Sequence, residues 1–142
     1  MADKSKLRAT TLTRREAMLG ALCGCCVPAF AAAERDAPLS LDEVAPGLFM
    51  RRGLDEDVSA QNENAIANIG FVVGRRSVAV FDPGGSRADG ERLRTAILAR
   101  TRLPIRYVVL SHVHPDHFFG AGAFERDRPQ FVGHARLPRA LS

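Results

Sequence analysis

The chain has 142 residues, 46% of them hydrophobic and 25% charged, which suits one globular domain and leaves little for a second. Its net charge of +4 is concentrated in residues 1–33, where Lys4, Lys6, Arg8, Arg14 and Arg15 outweigh Asp3 and Glu16 by three; the nearly neutral remainder has no basic stripe for nucleic acid. Cys23, Cys25 and Cys26 also fall in that leader, so the rest of the chain offers neither a disulfide nor a thiolate ligand.

Residues 1–12 are polar and basic, and Thr13-Arg14-Arg15-Glu16-Ala17-Met18-Leu19 leads into an apolar run from Ala17 to Ala33. Small residues close that run, as Ala29-Phe30-Ala31 and Ala31-Ala32-Ala33. This is the three-part build of a bacterial export signal over residues 1–33. The paired arginines resemble the twin-arginine type, which is read by the twin-arginine translocation machinery, although Ala17 stands where that type commonly has Phe. The location expected on that reading is the periplasm. The alternatives are an ordinary secretion signal, a lipoprotein signal around Leu22-Cys23-Gly24-Cys25, and a membrane anchor. The run is short for a span and contains Pro28, so no stable anchor is expected.

Residues 34–43 are polar, contain Pro38 and read as a linker to a domain over 44–142. Val44 to Arg51 reads as a turn entering a first strand, and residues 53–64 as an acidic loop. Ile66 to Val73 and Ser77 to Phe81 read as a hairpin about Arg75-Arg76. Asp82-Pro83-Gly84-Gly85 breaks the second strand, and a helix follows from about Ser86 to Arg100, with Leu93, Ala96 and Ile97 at helical spacing. Ile105 to Leu110 reads as a buried strand, Phe118 to Phe124 as a short helix and Gln130 to Gly133 as a last strand, with a helix starting near Arg136. Strands that alternate with helices in this order predict a layered α/β domain.

Between the buried strand and the short helix stands Ser111-His112-Val113-His114-Pro115-Asp116-His117. Three of the chain's four histidines and one aspartate crowd into six residues there. Imidazole and carboxylate are common zinc ligands, and a loop is free to turn several of them toward one point. Pro115 stiffens that loop by fixing one dihedral.

His112-x-His114-x-Asp116-His117 after an apolar strand resembles the signature of the metallo-β-lactamase superfamily. Asn68 to Gly74, Val80-Phe81-Asp82-Pro83-Gly84 and Phe118-Phe119-Gly120-Ala121-Gly122 are similar to that family's early hairpin, its Asp-x-Gly turn and the helix after its metal loop. The resemblance runs from about Val44 onward and implies an αββα sandwich, of which this chain is expected to hold only the N-terminal portion. It implies two zinc ions in a complete domain, His112 and His114 on the first, Asp116 and His117 on the second. It further implies attack on a carbonyl by a hydroxide shared between the metals, with Asp116 as the catalytic residue that holds or takes its proton. The family's remaining ligands come from later sequence, so the 142 residues alone are expected to be inactive.

Asp82 reads either as a residue supporting the metal ligands or as part of a plain turn. His134 reads as a non-ligand, with a third-ligand role as its alternative, and Phe118 and Phe119 read as core. The expected function is an exported hydrolase of a small-molecule ester, thioester, lactone or lactam. His114 stands where the family's iron redox members commonly carry Glu, which favours zinc. Within the superfamily, the leader, Asn64 to Phe71 and Phe131 to Leu137 resemble exported zinc hydrolases associated with quinoprotein oxidation systems. The alternatives are a mononuclear iron persulfide dioxygenase and a truncated, non-catalytic metal-binding remnant.

Overall fold

In the computed structural model, which describes residues 39–140, strand formation starts at Asp42. The export signal and most of the expected linker lie outside the described residues. β1 (Asp42–Ala45) and β2 (Leu48–Arg51) pair antiparallel around Pro46-Gly47. Gly47 takes φ +76, which a side chain resists, and its N–H donates to Glu43 Oε1 at 2.8 Å. The expected turn-then-strand is therefore a hairpin, with pairing that begins two residues inside the span expected to be a linker. All four residues of β1 are exposed, so it carries no apolar alternation to reveal it.

β3 (Ile69–Val73) and β4 (Val78–Phe81) make the expected hairpin. β3 begins later than the apolar run because Ala65 and Ala67, both buried, belong to the preceding loop. α1 (Arg87–Arg100) is capped by Ser86, whose side chain accepts the Asp89 N–H at 3.1 Å. Thr101 returns to extended backbone and ends it. β5 (Ile105–Leu110) then runs parallel to β4, and β6 (Gln130–Gly133) parallel to β5, giving one six-stranded sheet in the order β1-β2-β3-β4-β5-β6. Between β5 and β6 lie α2 (Pro115–Phe118) and a 3-10 helix, Phe119–Asp127; α3 (Leu137–Ala140) follows β6. Helical structure thus starts at Pro115, inside the histidine motif, where a proline at the first helical position forfeits no hydrogen bond.

Cross-strand register fixes which side chains share a face. Phe49, Phe71, Val80, Val108 and Phe131 stand opposite one another across five strands. Phe71, Val80 and Val108 are fully buried, together with Leu93 and Ile97 of α1 and Phe124 of the 3-10 helix. The two helical segments approach closely: a Cβ on Gly90 of α1 would collide with the Gly120 carbonyl oxygen. Met50, Gly70, Phe81, Val109 and Val132 form the next row, on the opposite face. No described helix covers that row, and Phe81 stays 42% exposed.

β5 is accordingly buried only at Ile105 and Val108, not throughout, and Tyr107 lies open. Nor are Phe118 and Phe119 core: they meet edge to face, Phe118 is half-buried and Phe119 is 55% exposed. The described residues supply one mixed sheet with helices on one side, which is an α/β half of an αββα sandwich. Among them no helix is long and apolar enough to cross a membrane.

Candidate metal centre

Because β4, β5 and β6 are parallel, their C-terminal ends share one edge of the sheet, the edge where open α/β sheets bind ligands. Asp82 follows β4, Ser111 to His117 follow β5, and His134 follows β6.

Asp82 takes a left-handed backbone, φ +49, and is buried at 8% exposure. Such geometry costs free energy outside glycine, and it persists where surrounding bonds over-determine it. Here they do. The Asp82 N–H donates to the Val109 carbonyl at 2.9 Å. Its Oδ1 accepts the Ser111 N–H at 2.8 Å. Its Oδ2 accepts the Ser111 hydroxyl at 2.7 Å and lies 2.9 Å from His117 Nδ1. One carboxylate therefore pins the exit of β5 and one imidazole of the motif.

These bonds fix where protons sit. A carboxylate only accepts, so His117 carries its proton on Nδ1. The single Ser111 proton goes to Asp82, so the 2.8 Å contact between Ser111 Oγ and His112 Nδ1 requires His112 to donate from Nδ1. With Nδ1 as the donor, each ring presents Nε2 as its other nitrogen, the one through which such an imidazole binds a metal. The rings are close: His112 lies 4.7 Å from His114 and 4.0 Å from His117, centroid to centroid. His117 Nε2 also faces Asp116 Oδ2 at 3.3 Å. Two lone pairs at that distance repel unless a positive charge, a proton or a metal ion, joins them.

The donor set fits a divalent cation of zinc's kind: nitrogen and carboxylate donors, with partners behind two imidazoles that orient them. Among the described residues no three His, Cys, Asp or Glu side chains already surround one point as a metal requires. The loop brings His112, His114, Asp116 and His117 near one another along a single short stretch. His114 caps α2 and is exposed, while His112, Asp116 and His117 are partly buried.

Of the readings left open for Asp82, the structure shows its carboxylate bonded to Ser111 and to His117 of the motif, within a turn. His134 is exposed, and its Nδ1 accepts the Arg136 N–H at 3.2 Å. It shares the edge, but among the described residues no hydrogen bond joins it to the cluster. Sequence reading missed Ser111, which links Asp82 to His112. Its only signal was a hydroxyl directly before the first histidine.

Residues 64–134 match the sequence model of the metallo-beta-lactamase superfamily. Among solved structures the chain is similar to TMB-1, with 17% identity and a TM-score of 0.59 over 74% of this chain and 47% of that one. It is also similar to a metallo-beta-lactamase from Hirschia baltica, at 16% identity and TM-score 0.57 over 74% and 47% of the two chains. A third likeness is to FIM-1 of Pseudomonas aeruginosa in its mono-zinc form, at 16% and 0.57 over 75% and 46%. The chain spans about half the length of these structures. No curated protein matches it in sequence.

Proposed function

Since this chain belongs to the metallo-beta-lactamase superfamily, we propose that it serves a zinc-dependent hydrolase whose metals are held by His112, His114, Asp116 and His117. The observation that carries this reading is the pair of contacts behind the motif, Ser111 Oγ on His112 Nδ1 and Asp82 Oδ2 on His117 Nδ1, which turn the Nε2 side of each ring toward a metal's place. Zinc held by these residues would supply an acidified water and a Lewis acid for the substrate carbonyl. The chain's own residues do the rest. Asp82 holds His117 by its Nδ1–H, and Ser111 holds His112 in the same way. Asp116, beside His117 Nε2, takes the proton that the attacking water gives up. Phe119, exposed next to the metal loop, offers an apolar surface to the substrate. The substrate class is an ester, thioester, lactone or lactam.

The Arg14-Arg15 leader supports export by the twin-arginine route to the periplasm, and with Asn64 to Phe71 it supports a place among zinc hydrolases associated with quinoprotein oxidation. Replacing both arginines by lysine is expected to leave the protein in the cytoplasm; unchanged periplasmic recovery means that the general secretion route is used. The hydrolase reading is tested with the protein as its gene encodes it. A panel of one activated ester, thioester, lactone and lactam should show turnover that a chelator abolishes and zinc restores. His112→Ala and His114→Ala should each lose it by about 100-fold or more. Turnover indifferent to chelator, or retained in both variants, contradicts the assignment.

A further inference from the structure

Asp89, in the first turn of α1, is fully buried. Its carboxylate faces the guanidinium of Arg51 from β2, with Nη1 at 3.2 Å on Oδ1 and Nη2 at 3.1 Å on Oδ2. Arg51 Nη2 also donates to the Ala67 carbonyl, and Arg92 Nη2 stands 3.7 Å from Asp89 Oδ1. Burial pushes the Arg51 guanidinium below the usual arginine range, with the Asp89 carboxylate pulling against it. A buried ion pair is weak evidence for stability, since apolar residues in its place often serve as well. Some other use for the charge has to be sought.

That use lies in the turn after Asp82. Asp89 Oδ2 accepts the Gly85 N–H at 3.3 Å. Gly84, at φ +108, lies so close that a Cβ there would sit 2.6 Å from the same oxygen. The turn is gripped on its other sides by Asn64, whose Nδ2 donates to the Gly85 carbonyl at 3.3 Å, and by the Gly120 N–H on the Gly84 carbonyl at 2.8 Å. Asp82 begins this turn in a left-handed backbone. Whatever fixes Pro83 to Gly85 therefore fixes the direction of the Asp82 carboxylate, and through it His117 Nδ1. The ion pair that joins α1 to the end of the 3-10 helix has no such reach. Arg94 meets Asp127 at 2.6 and 2.9 Å, at the far end of the 3-10 helix, and this pair makes no bond to the site.

We propose that Asp89, held by Arg51, is a positioning residue for the metal loop, acting through the Pro83–Gly85 turn and Asp82 on His117. The inference rests on reading that loop as a metal centre. Asp89→Asn keeps the shape and an acceptor for Gly85 but loses the charge that holds the Arg51 fork. Asp127→Asn is the control, breaking an ion pair on the same helix away from the site.

The protein as its gene encodes it is compared in three forms by thermal melting, zinc competition against a chromophoric chelator, and nitrogen-15 NMR of the histidine rings at about pH 8, above the ordinary histidine range. Wild type should show His117 protonated on Nδ1. Asp89→Asn should weaken zinc by about 10- to 100-fold and bring His117 toward averaged tautomers. Asp127→Asn should lower the melting temperature and move neither readout. If Asp89→Asn melts lower yet keeps wild-type zinc affinity and ring shifts, Asp89 is merely structural and the proposal falls. It falls equally if Asp127→Asn shifts both readouts as far. Should Asp89→Asn not fold, Arg51→Lys gives the same readouts by keeping the charge without the fork. If wild type itself takes up no zinc, the metal reading fails, and the His117 shifts alone decide whether Asp89 positions the ring.

Discussion

Phe71, Val80 and Val108 stand side by side across the sheet and are sealed beneath α1, whereas Phe81, Val109 and Val132, one residue further along the same or neighbouring strands, face the other way. The two rows are equally apolar. Only the middle of the first row is sealed among the described residues; Phe131 at its edge stays 48% exposed, and Phe81 and Val132 of the second row stay 42% and 41% exposed. The contrast shows that apolarity sets what a strand can bury, while the helical layer decides what it does bury. A strand such as Val78-Ala79-Val80-Phe81 is apolar on both faces, the pattern of strands covered from both sides. The second layer of an αββα sandwich would cover this row.

The contrast can be tested by substitution. Phe71→Ala removes a fully buried ring that stacks on Phe49 at 4.9 Å, and should cost about 3–5 kcal/mol, read from chemical denaturation of the whole chain. Phe81→Ser, on the open row, should cost about 1 kcal/mol or less and should reduce aggregation, read by the same denaturation and by light scattering. If Phe81→Ser proves as damaging as Phe71→Ala, the open face is covered in solution and the two faces are alike.

Much of this was legible beforehand, for reasons that differ by residue. α1 announces itself because Ser86 is a good cap and Leu93, Ala96 and Ile97 fall on one face. The candidate metal ligands announce themselves by type, since a sequence seldom gathers three histidines and an aspartate within six residues by chance. What stands behind those ligands is silent. Asp82 sits in an Asp-Pro-Gly stretch that any turn could use, and Ser111 is one hydroxyl among many. Asp89 occupies the first turn of a helix, where an acidic residue is ordinary, so its burial against Arg51 cannot be read from the chain. β1 was hidden because an exposed edge strand needs no apolar alternation, and α2 because Pro115 suits a loop as well as a helix start. Pairings over long sequence separation, such as residues 82 with 117 and 51 with 89, leave no local pattern.

The central claim is that the chemistry resides at the edge where β4 and β5 end, and stability beneath α1. The most direct measurement is Asp116→Asn in the protein as its gene encodes it, assayed in parallel for hydrolytic turnover and for melting temperature. Asn keeps the shape of Asp116 but gives up the charge that binds metal and accepts the proton, so turnover should fall by about 100- to 10,000-fold. Because Asp116 is neither core nor cap, the melting temperature should stay within about 3 °C of wild type when both proteins are freed of metal. Near wild-type turnover in the variant, or a loss of activity that only follows a loss of fold, would contradict the account.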